Sequence, residues 1–275
     1  MSNPYLPPEI LDCVVDLLYD DPNTLKGCCL VSKSWIPRTR KHLFASVPFY
    51  VKANLESWKK TFPDPSTSPA HYTKSLRVGC PYVVTAADAD ADAGGWIRGF
   101  SRVVELELDA CNARTDQPRI SLVPFHGFSP AIKSLSMTFS TLPPSRTVNL
   151  ILSFPLLEDL TLRGIGPSID EGDSPDGPPT AIQPQNLPAF CGSLELPLND
   201  WTAPIARQFL SIASGGIHFR RLVLTWRHKK ELSLAMALVG ECSDTLESLD
   251  ITRCLTGKHV YLAFTPASMT YFRFQ

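Results

Sequence analysis

Residues 103–111 read Val-Val-Glu-Leu-Glu-Leu-Asp-Ala-Cys, with Val103, Leu106 and Leu108 spaced by three and then by two. In a strand, side chains alternate between faces, so Leu106 and Leu108 share one side and Glu105, Glu107 and Asp109 the other. The phrase returns as Ile132, Leu135, Met137 and as Leu157, Leu160, Leu162. Further copies are Cys191, Leu194, Leu196, then Phe219, Leu222, Leu224, then Leu246, Leu249, Ile251. Weaker copies stand at Leu76 and Val78, and at Met269, Phe272 and Phe274. From Leu76 to Phe272 the central residues advance by 30, 29, 25, 34, 28, 27 and 23. Helix-compatible stretches lie between the phrases, among them Val148 to Leu152, Ile205 to Ile212 and Leu232 to Val239.

An L-x-x-L-x-L phrase returning at a period in the twenties resembles the leucine-rich repeat. Cys111, Asn199 and Cys254 stand where that repeat places Asn or Cys, whereas Ile165 and Arg227 depart from it. An ordinary α/β domain also spaces its apolar runs, but the same six-residue phrase recurring favours a strand–helix solenoid with a parallel concave sheet. The residues between buried positions then face the concave side: Glu105, Glu107, Asp109, Asp159, Arg163, Glu195, Arg221 and Asp250. Their mixed sign suits a protein substrate rather than a polyanion. For any one of them alone, an ordinary solvated strand residue is the better reading. Residues 167–184 hold Asp170, Glu171, Asp173 and Asp176 among Pro and Gly, and read as a flexible acidic loop. The last phrase, at Met269 to Phe274, is expected either to form an edge strand or to mark a shortened C-terminus.

The first residues follow different rules. Pro7 and Pro8 open a helix carrying Ile10, Leu11, Val14, Leu17 and Leu18 on one broad face. Asp21 is placed to cap a second helix that begins at Pro22 and carries Leu25, Cys28 and Cys29. A third segment holds Trp35, Pro37, Leu43 and Phe44. Three short helices in roughly 40 residues bury too little surface to stand alone, so their apolar residues should meet the rest of the chain or another protein.

Leu6-Pro7-Pro8-Glu9-Ile10-Leu11, then Leu25, Cys28-Cys29-Leu30-Val31 and Ser32-Lys33-Ser34-Trp35, resemble an F-box, with Ser32 where many members have Cys. The resemblance implies docking on the Skp-family adaptor of a cullin-based, SCF-type ubiquitin ligase. It gives Leu6, Pro7, Ile10, Leu25, Val31 and Trp35 the partner-facing role. The expected fold class is therefore α/β: a small N-terminal three-helix F-box followed by an irregular leucine-rich-repeat solenoid. The domains would be an F-box-like module at 1–47, a linker and first helix at 48–70, and the solenoid at 71–275. A helical cap on a repeat scaffold with no ligase link is the alternative.

Composition narrows the rest. With 44% hydrophobic and 19% charged residues and a net charge of -1, the chain is globular and has no electrostatic reason to bind nucleic acid or an anionic membrane. The N-terminus lacks the pattern of a secretory signal, and the eight cysteines include no CxxC pair. A cytoplasmic or nuclear protein with reduced thiols is expected. Asp88, Asp90 and Asp92 begin like a calcium loop, but Ala93 and Gly99 stand where that loop needs Gly and Glu. Arg220, Arg221, Arg227, His228, Lys229 and Lys230, with Trp226 among them, read as a solvated face. No catalytic motif, metal or cofactor is expected.

Overall fold

The computed structural model describes residues 7–64, 66–79, 93–110, 125–139, 144–163, 190–200, 202–212, 217–255 and 258–264. Leu6, Cys111, Ile165, the acidic segment 167–184, the aspartates at 88–92 and the phrase at 269–274 lie outside them.

Three helices open the chain: α1 (Pro8–Leu17), α2 (Pro22–Val31) and α3 (Ile36–Leu43). Proline occupies the first turn of each, where a missing N–H breaks no helical bond. Asp21 caps α2 as its position implied, accepting from the backbone N–H of Asn23 and Thr24 at 3.1 Å each. Asp16 on α1 binds Arg38 in a fork and lies 2.7 Å from His42 Nε2, tying α1 to α3.

The chain then enters a nine-stranded sheet whose spatial order equals its sequence order. The strands are β1 (Ser46–Phe49), β2 (Ser75–Gly79), β3 (Glu105–Ala110), β4 (Ser134–Phe139), β5 (Asp159–Arg163), β6 (Ser193–Pro197), β7 (Arg221–Trp226), β8 (Ser248–Leu255) and β9 (Lys258–Phe264). The first eight run parallel and β9 returns antiparallel to β8. Helices α4 (Lys52–Thr61), α5 (Ala93–Arg98), α6 (Pro144–Leu152), α7 (Ala203–Ile212) and α8 (Lys229–Glu241) lie along the connections. The protein is thus α/β, and in all six full copies of the leucine phrase the last two apolar positions fall on a strand while the first lies two residues ahead of it. Two strands were not foreseen: β1, ahead of the first phrase, and β9.

Register explains the phrase. Leu76, Leu106, Leu135, Leu160, Leu194, Leu222 and Leu249 stand opposite one another in a single row across seven strands. All are buried against Ile97, Phe100, Val148, Ile151, Ile205, Phe209 and Leu238 from the helical layer. A slip of one residue would turn the whole row into solvent, so burial specifies register strongly.

A second regularity sits just ahead of the strands. The Ala45 carbonyl accepts from the N–H of both Lys74 and Ser75, at 2.8 and 3.0 Å. Lys74, Val104, Lys133, Gly192 and Arg220 repeat this double acceptance toward the next strand. One junction departs from it. The Glu158 carbonyl takes only the N–H of Gly192, at 3.1 Å, while Ser193 N–H donates to Asp159 Oδ1 at 2.6 Å. There β5 and β6 share two register pairs, where β4–β5 and β6–β7 each share five.

Candidate functional site

Two surfaces stand out, one on the helical module and one on the sheet. On α1 the apolar arc is wider than the chain itself can cover. Val15 is buried and Leu11 and Leu18 half-buried, while Ile10, Val14 and Leu17 remain exposed, Leu17 by 78%. Ile10, Val14 and Leu17 follow the i, i+4, i+7 spacing of one helix face, so they form a continuous row. On α2 the separation is sharper. Leu25 and Cys28 point inward, whereas Leu30 is 89% exposed and Val31 is exposed beside it. Tyr19, between the two helices, adds another exposed ring.

Among the residues assigned a partner-facing role, Pro7, Ile10 and Val31 are exposed and Trp35 is half-buried. Leu25 is only 1% exposed, so it holds the module's inner face rather than lining its surface. Leu17, Tyr19 and Leu30 are exposed as well and were not among the assigned residues. The signal was available for Leu30, which lies 5 positions and therefore about 140° around the helix from Leu25.

The module is held together beneath this patch by polar bonds. The Arg38 guanidinium first, and His42 second, hold the Asp16 carboxyl well below the ordinary carboxylate range. The same pairing raises the Arg38 guanidinium. Thr39 Oγ1 is buried, donates to the Trp35 carbonyl at 2.8 Å and lies 2.9 Å from Cys29 Sγ, which locks α2 against α3.

The second surface is the sheet face opposite the helical layer. Glu105, Glu107, Asp109, Asp159, Arg163, Glu195, Arg221 and Asp250 all occupy the register positions that alternate with the buried rows, so they share this face. All are half-buried or exposed. Parallel strands are usually covered on both sides, whereas among the described residues this face of β1–β8 carries polar side chains that are half-buried or exposed. Its charges are partly spent internally. Arg163 grips Glu195 in a two-pronged bond of 2.8 Å per arm, and Arg77 lies 3.0 Å from Glu107. Asp159 Oδ1 accepts from Ser193 N–H and Oγ, a bond that joins β5 to β6.

Arg77 and Tyr50 were not anticipated on this face. The Tyr50 backbone crosses directly over Gly79, where an added Cβ would meet Tyr50 Cα at 3.0 Å and its carbonyl oxygen at 3.2 Å. A side chain there would be tighter than ordinary contact and would oblige the Tyr50 backbone to give by a few tenths of an ångström. Hydrogen bonding to Tyr50, and then the charge of Glu107, raises the Arg77 guanidinium.

The basic cluster around β7 does not form one patch. Arg220 lies at the start of the strand, 3.7 Å from Glu247, and Arg227 lies past its end, about 20 Å along a six-residue strand. Lys230 pairs with Asp200. Asn199 Oδ1 accepts from Thr202 N–H at 3.0 Å, ordering the turn that starts α7. Among the described residues no group of His, Cys, Asp and Glu is arranged to hold a metal. Burial pushes the Cys242 thiol up to about 11, which leaves it un-ionised near neutrality. A groove of about 340 Å³ between α4 and β1 is walled by Phe44, Phe49, Trp58 and Phe62, and no charged side chain lines it. No helix of the described residues is long and apolar enough to cross a membrane. What these surfaces offer chemically is contact area: an apolar row on one side and a charged, shallow face on the other. No protein-family model, no curated protein and no solved structure matches this chain.

Proposed function

We propose that the chain is the substrate-recognition adaptor of an SCF-type ubiquitin ligase. The observation that carries this reading is the exposed apolar row Ile10, Val14 and Leu17 on α1, with Leu30 and Val31 exposed on α2, in a three-helix module whose sequence resembles an F-box. So many large apolar side chains left exposed on a small module call for a protein partner, and the resemblance supplies the Skp-family adaptor. The strands and helices that follow are read as an irregular leucine-rich-repeat solenoid, supported by the single leucine row and the repeated double acceptance ahead of the strands. Its open face presents a protein substrate. The mechanism is proximity: a tethered target offers its lysines to the catalytic subunit at a high effective concentration.

A second reading, a repeat-type binding scaffold capped by the helices, is favoured by the way the module runs into the sheet. Ala45, two residues beyond α3, already bonds to Lys74 and Ser75, and Phe44 packs edge-on against Trp58 of α4. Co-purification with a Skp-family adaptor separates the two. The unmodified chain should form a stable complex, and Leu17→Asp/Leu30→Asp/Val31→Asp should abolish it without lowering the melting temperature, because all three side chains are exposed. Failure of the unmodified chain to bind would leave only the capped scaffold.

A further inference from the structure

The open sheet face is uneven, and its unevenness points to where and how a partner is read. At the β1–β3 end an exposed aromatic, Tyr50, stands 55% accessible beside exposed Pro48. Tyr50 is positioned by the missing side chain of Gly79 and by Arg77, which Glu107 holds from the other side. Ordered Tyr and Arg side chains with apolar neighbours are the composition that dominates binding energy at protein interfaces. The adjoining strand β3 then presents Glu105, Glu107 and Asp109 along one edge of that cluster, against the single cation Arg77 on β2.

We propose that the face recognises its protein substrate at this end. An apolar side chain seats on Tyr50 and Pro48, and an adjacent lysine- or arginine-rich stretch lies over exposed Glu105, beside the Arg77–Glu107 pair. The inference rests on the reading that this face carries the substrate, and it names the class: a segment with an apolar anchor followed by basic residues. Charge complementarity excludes an acidic segment, since carboxylates laid over β3 would face like charges. The site also lies on the first strands after the helical module, so a segment bound here sits close in the chain to the proposed ligase-docking surface.

The test uses the full chain and two fluorescein-labelled dodecapeptides, each with one leucine at the N-terminal side. One continues with alternating lysine and serine, the other with alternating glutamate and serine. The lysine probe should bind at least about tenfold more tightly by fluorescence anisotropy, and Tyr50→Ala and Glu105→Lys should each weaken it by about tenfold. Glu241→Lys and Asp244→Lys change exposed carboxylates away from the sheet face and should leave the affinity unchanged. Equal binding of the two probes, or an equal loss from the control substitutions, overturns the inference. Leu17→Asp/Leu30→Asp should bind the lysine probe normally. Failure of the unmodified chain to form the Skp-family complex while it still prefers the lysine probe would count against the ligase reading alone, and a stable complex with no preference between the probes against this one alone.

Discussion

Gly192 shows how one absent methyl group decides whether two strands can pair. A Cβ there would lie 2.3 Å from Asp159 Oδ1 and 2.9 Å from the Glu158 carbonyl oxygen. Gly192→Ala must therefore displace the Asp159 carboxylate, which bonds Ser193, or push the strands apart. A cost of about 1–3 kcal/mol is expected from such overpacking, read from urea unfolding. Asp159→Ala removes the obstructing group, so the double variant should be less destabilised than the two single effects added together. Additive effects would show that the contact is not shared. Asp16 offers a pH test at the same scale. Arg38 first and His42 second hold its folded-state pKa below the ordinary carboxylate value of 3.8, so these bonds stabilise fully above that value and are lost as pH falls through the folded one. Melting curves from pH 7 downward should show the helical module weakening below the ordinary carboxylate range. Asp16→Asn should start from a lower melting temperature and lose less in that window. Individual residues were legible in proportion to how local their cause is. Asp21 could be read as a cap from its neighbours alone, whereas the burial of Leu25 and the exposure of Leu30 depend on which way α2 faces. The approach of Tyr50 to Gly79 depends on a strand 29 positions away in the chain.

Elements were legible where a period repeats. The leucine phrase revealed β3 through β8 because alternation plus recurrence is hard to produce by any other structure. It missed β1, since Ser46-Val47-Pro48-Phe49 contains a proline and no leucine. Proline is tolerated there because β1 is an edge strand with one outward side free of ladder bonds. It also missed β9, whose antiparallel return follows from a two-residue connection that no parallel crossover could make. The helix α8 carries its own test. Glu231 is buried and its Oε2 accepts from Arg227 N–H at 2.6 Å and His228 N–H at 2.9 Å. A carboxylate at the third helical position that reaches back to the N-terminus satisfies donors the helix cannot. Glu231→Ala should cost about 1.5–3 kcal/mol, the range for hydrogen bonds to a charged group. Thermal unfolding measures it, and restoration by Gln would assign the effect to hydrogen bonding rather than to charge.

At the scale of the molecule, each strand depends chiefly on its two neighbours, so stability should vary along the sheet rather than belong to it as a whole. The leucine row is continuous and the core runs from Val47 to Ile251 without a break among the described buried residues. Leu160→Ala, in the middle of that row, should cost about 2–5 kcal/mol through lost burial and the cavity left behind. The backbone ladder is less even than the core. β5 and β6 share two register pairs, with backbone bonds from Phe190 and Gly192, the Asp159–Ser193 contact and the Arg163–Glu195 pair beside them, whereas β3–β4 and β7–β8 each share six register pairs. Two blocks, β1–β5 and β6–β9, are thus coupled more strongly within themselves than to each other through the backbone, while apolar packing spans both. Native-state hydrogen exchange should reveal this difference. Amides of Thr161, Leu162 and Glu195 should exchange faster than those of Leu108, Met137, Leu224 and Ile251, and Gly192→Ala should widen the gap. Uniform protection across all eight parallel strands would mean that the leucine row alone sets cooperativity, with the ladder following it.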